Sequence, residues 1–167
     1  MHHTRRVVIC AAIAAALGLA LPPVHAQSGE EVLKGRTTFM REQLGGPWKV
    51  LAAFGKAGQG SLEDVEKNAQ LIASRAKNIP QHFPKDTGRG TFPDDMTRAL
   101  PAIWQEQKKF QGFVEKLQQE SAKLATLAKA GDKDAVVAMI GESGSFNKTT
   151  IGCADCHQAF QGPAVKK

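Results

Sequence analysis

The sequence predicts an all-α fold, an antiparallel four-helix bundle in a single domain. Apolar residues recur at steps of three and four along several long stretches, the mark of helices with one buried face. No stretch of useful length alternates apolar and polar residues as a half-buried strand would. Near the C-terminus, Cys153-Ala154-Asp155-Cys156-His157 places two thiols and an imidazole where one helical face can present all three.

Residues 1–26 read as a secretory leader that is cleaved. Met1 to Arg6 is basic, Val7 to Leu21 is apolar, and Val24-His25-Ala26 offers a small-residue cleavage site ahead of Gln27. The apolar run is short for a membrane span and no stop-transfer pattern follows it. Cys10 opens that run instead of ending it, which argues against a lipid-anchored cysteine. Residues 27–167 are then the mature, exported domain, of a length that buries one core.

The first helix is expected from about Glu30 to Lys56, with Leu33, Met40, Leu44, Trp48 and Leu51 on its apolar side and a kink or break at Gly45-Gly46-Pro47. The second starts at Ser61, an N-cap with Asp64 three residues on. It carries Leu62, Val65, Ala69, Ile72, Ala76 and Ile79 up to Pro80. Gln81 to Pro93 is rich in Pro, Gly and polar residues and reads as a long connection. The third helix is expected from about Thr97 to Ala130, closed by Gly131. Ile103, Phe110, Val114, Leu117, Leu124 and Leu127 or Ala128 face inward. Asp132 to Ile140 is a shorter helix, Gly141 to Ser145 a break, and a last helix carries the cysteines and ends near Gly162. Trp48 and Trp104 read as packing residues.

C-x-x-C-H is the pattern of covalent c-type haem attachment, in which two thiols add to the haem vinyl groups and the histidine ligates iron. A thioredoxin-like redox pair would sit beside a βαβ pattern, and a structural zinc site would need a second pair of ligands. Neither is present, since the remaining cysteine is Cys10 and the one histidine outside leader and motif is His82. One haem c held by Cys153 and Cys156, with His157 on the iron, is the reading. Export to the bacterial periplasm agrees with it.

The chain resembles the class II c-type cytochromes, cytochrome c prime and its low-spin relatives of the c-556 type. The resemblance covers essentially the whole mature sequence. It rests on the late haem motif, on Arg36 with Met40 four residues later, and on Pro101-Ala102-Ile103-Trp104 with Phe110. It implies that Met40 faces the distal side of the haem and that Arg36 lies beside it. It also implies pairing of two copies through the first two helices. Where the family carries Arg or Lys four residues after the haem histidine, this chain has Gln161.

No methionine follows His157, so a sixth iron ligand from the protein must come from upstream. Met139 is about 27 Å from His157 if the intervening chain is helical, and Met96 and His82 lie at or in the connection. Met40 sits on a core seam, where a methionine is more often packing than a ligand, and the resemblance is what favours it as ligand. The expectation is a low-spin, six-coordinate electron carrier ligated by His157 and Met40 and serving redox partner proteins. The alternative is a five-coordinate, high-spin haem with Met40 packed over it, binding nitric oxide or carbon monoxide. A peroxidase-like enzyme would want a distal acid and base, and Arg36 is the one hint of either, so no enzyme is expected. Loss of Arg5 and Arg6 with the leader takes the formal charge from +6 to +4. Lysines and arginines are spread along the helices without clustering, which points away from nucleic acid.

Overall fold

The computed structural model describes residues 28–141 and 151–165. The expected leader, and the break beyond Gly141 up to Thr150, lie outside the described residues. Helical segments are α1 (Gly29–Thr38), a π-helical turn (Phe39–Leu44), α2 (Gly45–Ala57), α3 (Leu62–Ala76), a 3-10 turn (Ile79–His82), α4 (Ala102–Gln105), α5 (Gln107–Lys129), α6 (Lys133–Ile140) and α7 (Cys153–Phe160). The first helix of the bundle is α1 to α2, the second α3 and the third α5; α6 and α7 each pack against α5. No strand forms among the described residues, which hold only two isolated bridges.

Helix ends follow local chemistry. Ser28 with Glu31 and Ser61 with Asp64 both form capping boxes, in which each side chain satisfies a backbone N–H of the other. Gly58 and Gly131 close α2 and the turn after α5 with φ of 61° and 81°. Asp132 caps α6 by accepting from Ala135 N at 3.0 Å.

Two expected boundaries move. The first helix does not break at Gly45-Gly46-Pro47. The π-helical turn widens the backbone just before the proline, with Gly45 N donating to Met40 O, and α2 continues from it. The third helix begins at Ala102, not Thr97, and Glu106 interrupts it once before α5. Residues 97–100 are engaged elsewhere: Leu100 N donates to Phe160 O at 3.0 Å and Gly162 N to Arg98 O at 2.7 Å. Pairing across the fold outweighs local helix preference there.

The core joins Leu44, Leu51 and Phe54 of the first helix to Val65, Ala69 and Ile72 of α3, Val114, Leu124 and Ala128 of α5, and Val136 and Ile140 of α6. Small residues at Ala69, Ala76, Ala125 and Ala128 let α3 and α5 run close together. Leu117 and Leu127 are half-buried, and Ser121 takes a fully buried seam position. Gly55 lets α6 approach α2, because a Cβ there would sit 2.6 Å from Ile140 Cγ2.

Candidate haem site

Cys153 opens α7, and Gly152 before it adopts φ 90° with Lys116 methylenes about its missing Cβ position at 3.1 to 3.4 Å, so glycine is required there. One α-helix therefore carries Cys153, Cys156 and His157, as the motif predicts. The thiols are half-buried and pack against the core. Burial, followed by the neighbouring Cys156 and other groups, pushes the Cys153 thiol up to about 12. Burial and Asp155 push Cys156 up to about 11. Both are neutral thiols at neutral pH, in an apolar setting suited to a porphyrin edge. His157 is held below its ordinary pKa by burial and then by the charge of Arg98, which favours the neutral imidazole. Among the described residues no three His, Cys, Asp or Glu side chains converge as a bare metal ion would require.

Aromatic rings line the approach to α7. Phe160 lies edge-on to Phe110 at 5.4 Å and to Phe113 at 5.9 Å, and Phe110 is edge-on to Phe83 at 5.4 Å. Lys116 of α5 pairs with Asp155 at 2.9 Å and ties α7 to α5. Trp104 donates to Phe83 O at 3.0 Å and packs over Gly88, where a Cβ would come within 2.4 Å of its ring. It is a packing residue, as the sequence suggested.

Met40 sits in the π-helical turn, half-buried and packed against the core. Phe39 beside it is buried and stacks on His82, with ring centroids 3.9 Å apart. Arg36 is 7% exposed, so it does not reach solvent. Its Nε donates to His82 O at 2.8 Å and its Nη1 to Thr87 O at 2.8 Å and Thr97 Oγ1 at 3.2 Å. Nη2 donates to Thr87 Oγ1, and the guanidinium lies 4.5 Å from the Phe83 ring centroid. Four of its five N–H donors thus bind the connection. Burial draws its pKa down to about 10, and among the described residues no carboxylate pairs with it. Met96 is 40% exposed and Met139 is buried in α6.

Sequence reasoning did not find Phe39, Thr87, Thr97 or Arg98. Phe39 was findable, because it lies three residues after Arg36 on the same face. The partners of Arg36 were not, since they are 46 to 61 residues away.

Comparison with known proteins agrees with this geometry. The family described as Cytochrome C' matches residues 31–161. The chain is 30% identical to cytochrome c' of Rhodopseudomonas palustris over 133 residues, which is 78% of this chain and 82% of that one. It is 27% identical to cytochrome c-554 of Cereibacter sphaeroides over 116 residues, 65% of this chain and 80% of that one. A nitric oxide complex of a point variant of cytochrome c prime from Alcaligenes xylosoxidans shares the fold with a TM-score of 0.60 and 22% identity, over 81% of this chain and 98% of that one. With Cys153 and Cys156 near the C-terminus in a pattern that fits covalent haem attachment, the chain belongs to the cytochrome c' family, the class II c-type cytochromes.

Proposed function

We propose that the protein is a gas-binding cytochrome c prime, with haem held by Cys153, Cys156 and His157 and the sixth position left open under a wall that includes Met40. Haem, when bound, supplies an iron that takes nitric oxide or carbon monoxide. The chain supplies the axial imidazole, an apolar distal face and exclusion of water. The observation that carries the reading is the match to proteins named cytochrome c' over most of the chain, with a nitric oxide complex among the fold's neighbours. It reverses the order of preference that the sequence alone gave.

Arg36 supports a binding role over catalysis. With four donors committed to the connection, it is a poor distal acid, and the proposal is a non-enzymatic protein. Closure of the iron by Met40, giving a low-spin electron carrier, is the second reading. The place of Met40 in a π-helical turn favours it, because such turns recur at functional sites. Met40→Leu separates the two at little cost to the fold, the residues being close in volume. On the first reading its haem spectrum stays high-spin; on the second a low-spin parent turns high-spin and begins to bind carbon monoxide.

We also propose cleavage after Ala26, residence in the periplasm, and pairing of two copies through the first two helices. Intact mass of the exported protein tests the first: it should equal residues 27–167 plus one haem. Retention of Met1 to Ala26 would contradict it. Among the described residues no helix is long and apolar enough to cross a membrane.

A further inference from the structure

Met96 stands apart from the other methionines among the described residues. It is 40% exposed, whereas Met139 is 8% exposed and Met40 is half-buried against the core. It borders a groove of about 300 Å³ whose other walls are Glu30, Leu33, Lys34, Thr37 and Thr38 of α1. A small reagent therefore reaches this thioether without any opening of the bundle.

The backbone that carries Met96 is held from several sides. Met96 N donates to Pro93 O at 3.0 Å, and Thr97 N donates to the same oxygen at 3.3 Å. Thr97 O accepts from Arg89 Nε at 3.1 Å, and Thr97 Oγ1 accepts from Arg36 Nη1 at 3.2 Å. None of these bonds uses the Met96 side chain. A chemical change at its sulfur leaves the tie between α1 and the connection in place.

We propose that Met96 is a modification site, the methionine that oxidants of the hydroperoxide class convert to sulfoxide, and that the folded chain accommodates the product. The sulfur lone pair attacks the terminal peroxide oxygen, so that an S–O bond forms as the O–O bond breaks. The proton of the transferred oxygen passes to the departing alkoxide, which leaves as the alcohol. Sulfur loses two electrons and the hydroperoxide gains them. The product is polar where the thioether was apolar, which disrupts a packed core. Met139 would bear that cost, since its side chain belongs to the core. At Met96 the new oxygen has solvent and the groove around it. The Thr38 hydroxyl and the Lys34 ammonium on the groove wall are donors suited to it. The Thr37 hydroxyl is already engaged, donating to Leu33 O at 2.9 Å. This chemistry needs nothing from the haem, and whether the sixth position of the iron is open has no bearing on it.

The test exposes the holoprotein to limiting tert-butyl hydroperoxide and counts sulfoxide at each methionine by peptide mass spectrometry, with the haem absorption followed throughout. Met96 should oxidise at least about fivefold faster than Met139, in line with exposures of 40% and 8%, and ahead of Met40. Unfolding in urea before the oxidant is added should bring the three rates together. Protein oxidised at Met96 alone should keep the parental Tm, and methionine sulfoxide reductase should return it to the thioether. Met96→Leu should lose the species that forms first. Met40 or Met139 oxidising as fast as Met96 in the folded holoprotein, or a clear fall in Tm on oxidation of Met96 alone, would overturn the proposal.

Discussion

Arg75 of α3 donates through Nη1 to the carbonyl oxygen of Gln43, 2.7 Å away. That carbonyl lies four residues before Pro47, whose ring nitrogen has no hydrogen to give it. A neighbouring helix thus supplies the donor that proline lacks, and the first helix passes through Gly45-Gly46-Pro47 with a π-helical turn in place of a break. Arg75→Leu should cost about 1 kcal/mol, the usual net value of one hydrogen bond. Urea unfolding of the holoprotein would register this as a lower midpoint at unchanged slope.

Arg36 should matter more. Arg36→Leu leaves the His82 and Thr87 carbonyls and two threonine hydroxyls without their donor, at a cost of about 3 kcal/mol. Arg36→Lys keeps a cation but not the planar fork and should recover only part of that. Equal stability of Arg36→Leu and the parent would show that the connection holds without its clamp.

His82 gives the fold a pH dependence. Burial and the charge of Arg36 hold its pKa below the ordinary histidine value. Its neutral form is the one the folded state favours. Stability from this group is present above the unfolded pKa of about 6.5 and is lost as pH falls through the lower folded value. Replacing it, as in His82→Gln, should flatten the acid limb of a stability-against-pH curve below about pH 6.5. An acid limb identical to that of the parent would rule His82 out as its source.

Ser121 lies fully buried in the seam of α5, and its hydroxyl has no hydrogen-bond partner among the described residues. Ser121→Ala removes a desolvated polar group and should raise stability by about 1 kcal/mol. Calorimetry of the holoprotein would show an upward shift in Tm.

Much of this could be read from the sequence because it is set by near neighbours. The Ser61 and Asp64 cap, the glycine stop at Gly131 and the shared helix of Cys153, Cys156 and His157 all depend on residues within one turn or so. The misplaced boundaries depend on distant partners. Thr97 to Leu100 would suit a helix, but they pair with the end of α7 some sixty residues on. Pro47 signals a break until Arg75 is placed beside Gln43. The seam of α5 was read through Leu117, which does pack half-buried against the core; Ser121, left out of that reading, is fully buried there, and its small side chain suits the close approach of α3. The haem-attachment residues were legible as a motif, whereas the role of Met40 depends on which way the π-helical turn offers its thioether.

The absorption spectrum of the purified holoprotein, ferric and then ferrous with and without carbon monoxide at neutral pH, tests the central claim most directly. An open sixth position predicts high-spin ferric and ferrous spectra and a ferrous haem that takes carbon monoxide. A low-spin ferric spectrum with the weak far-red band of iron bound to methionine sulfur, together with refusal of carbon monoxide, would contradict it and assign Met40 to the iron.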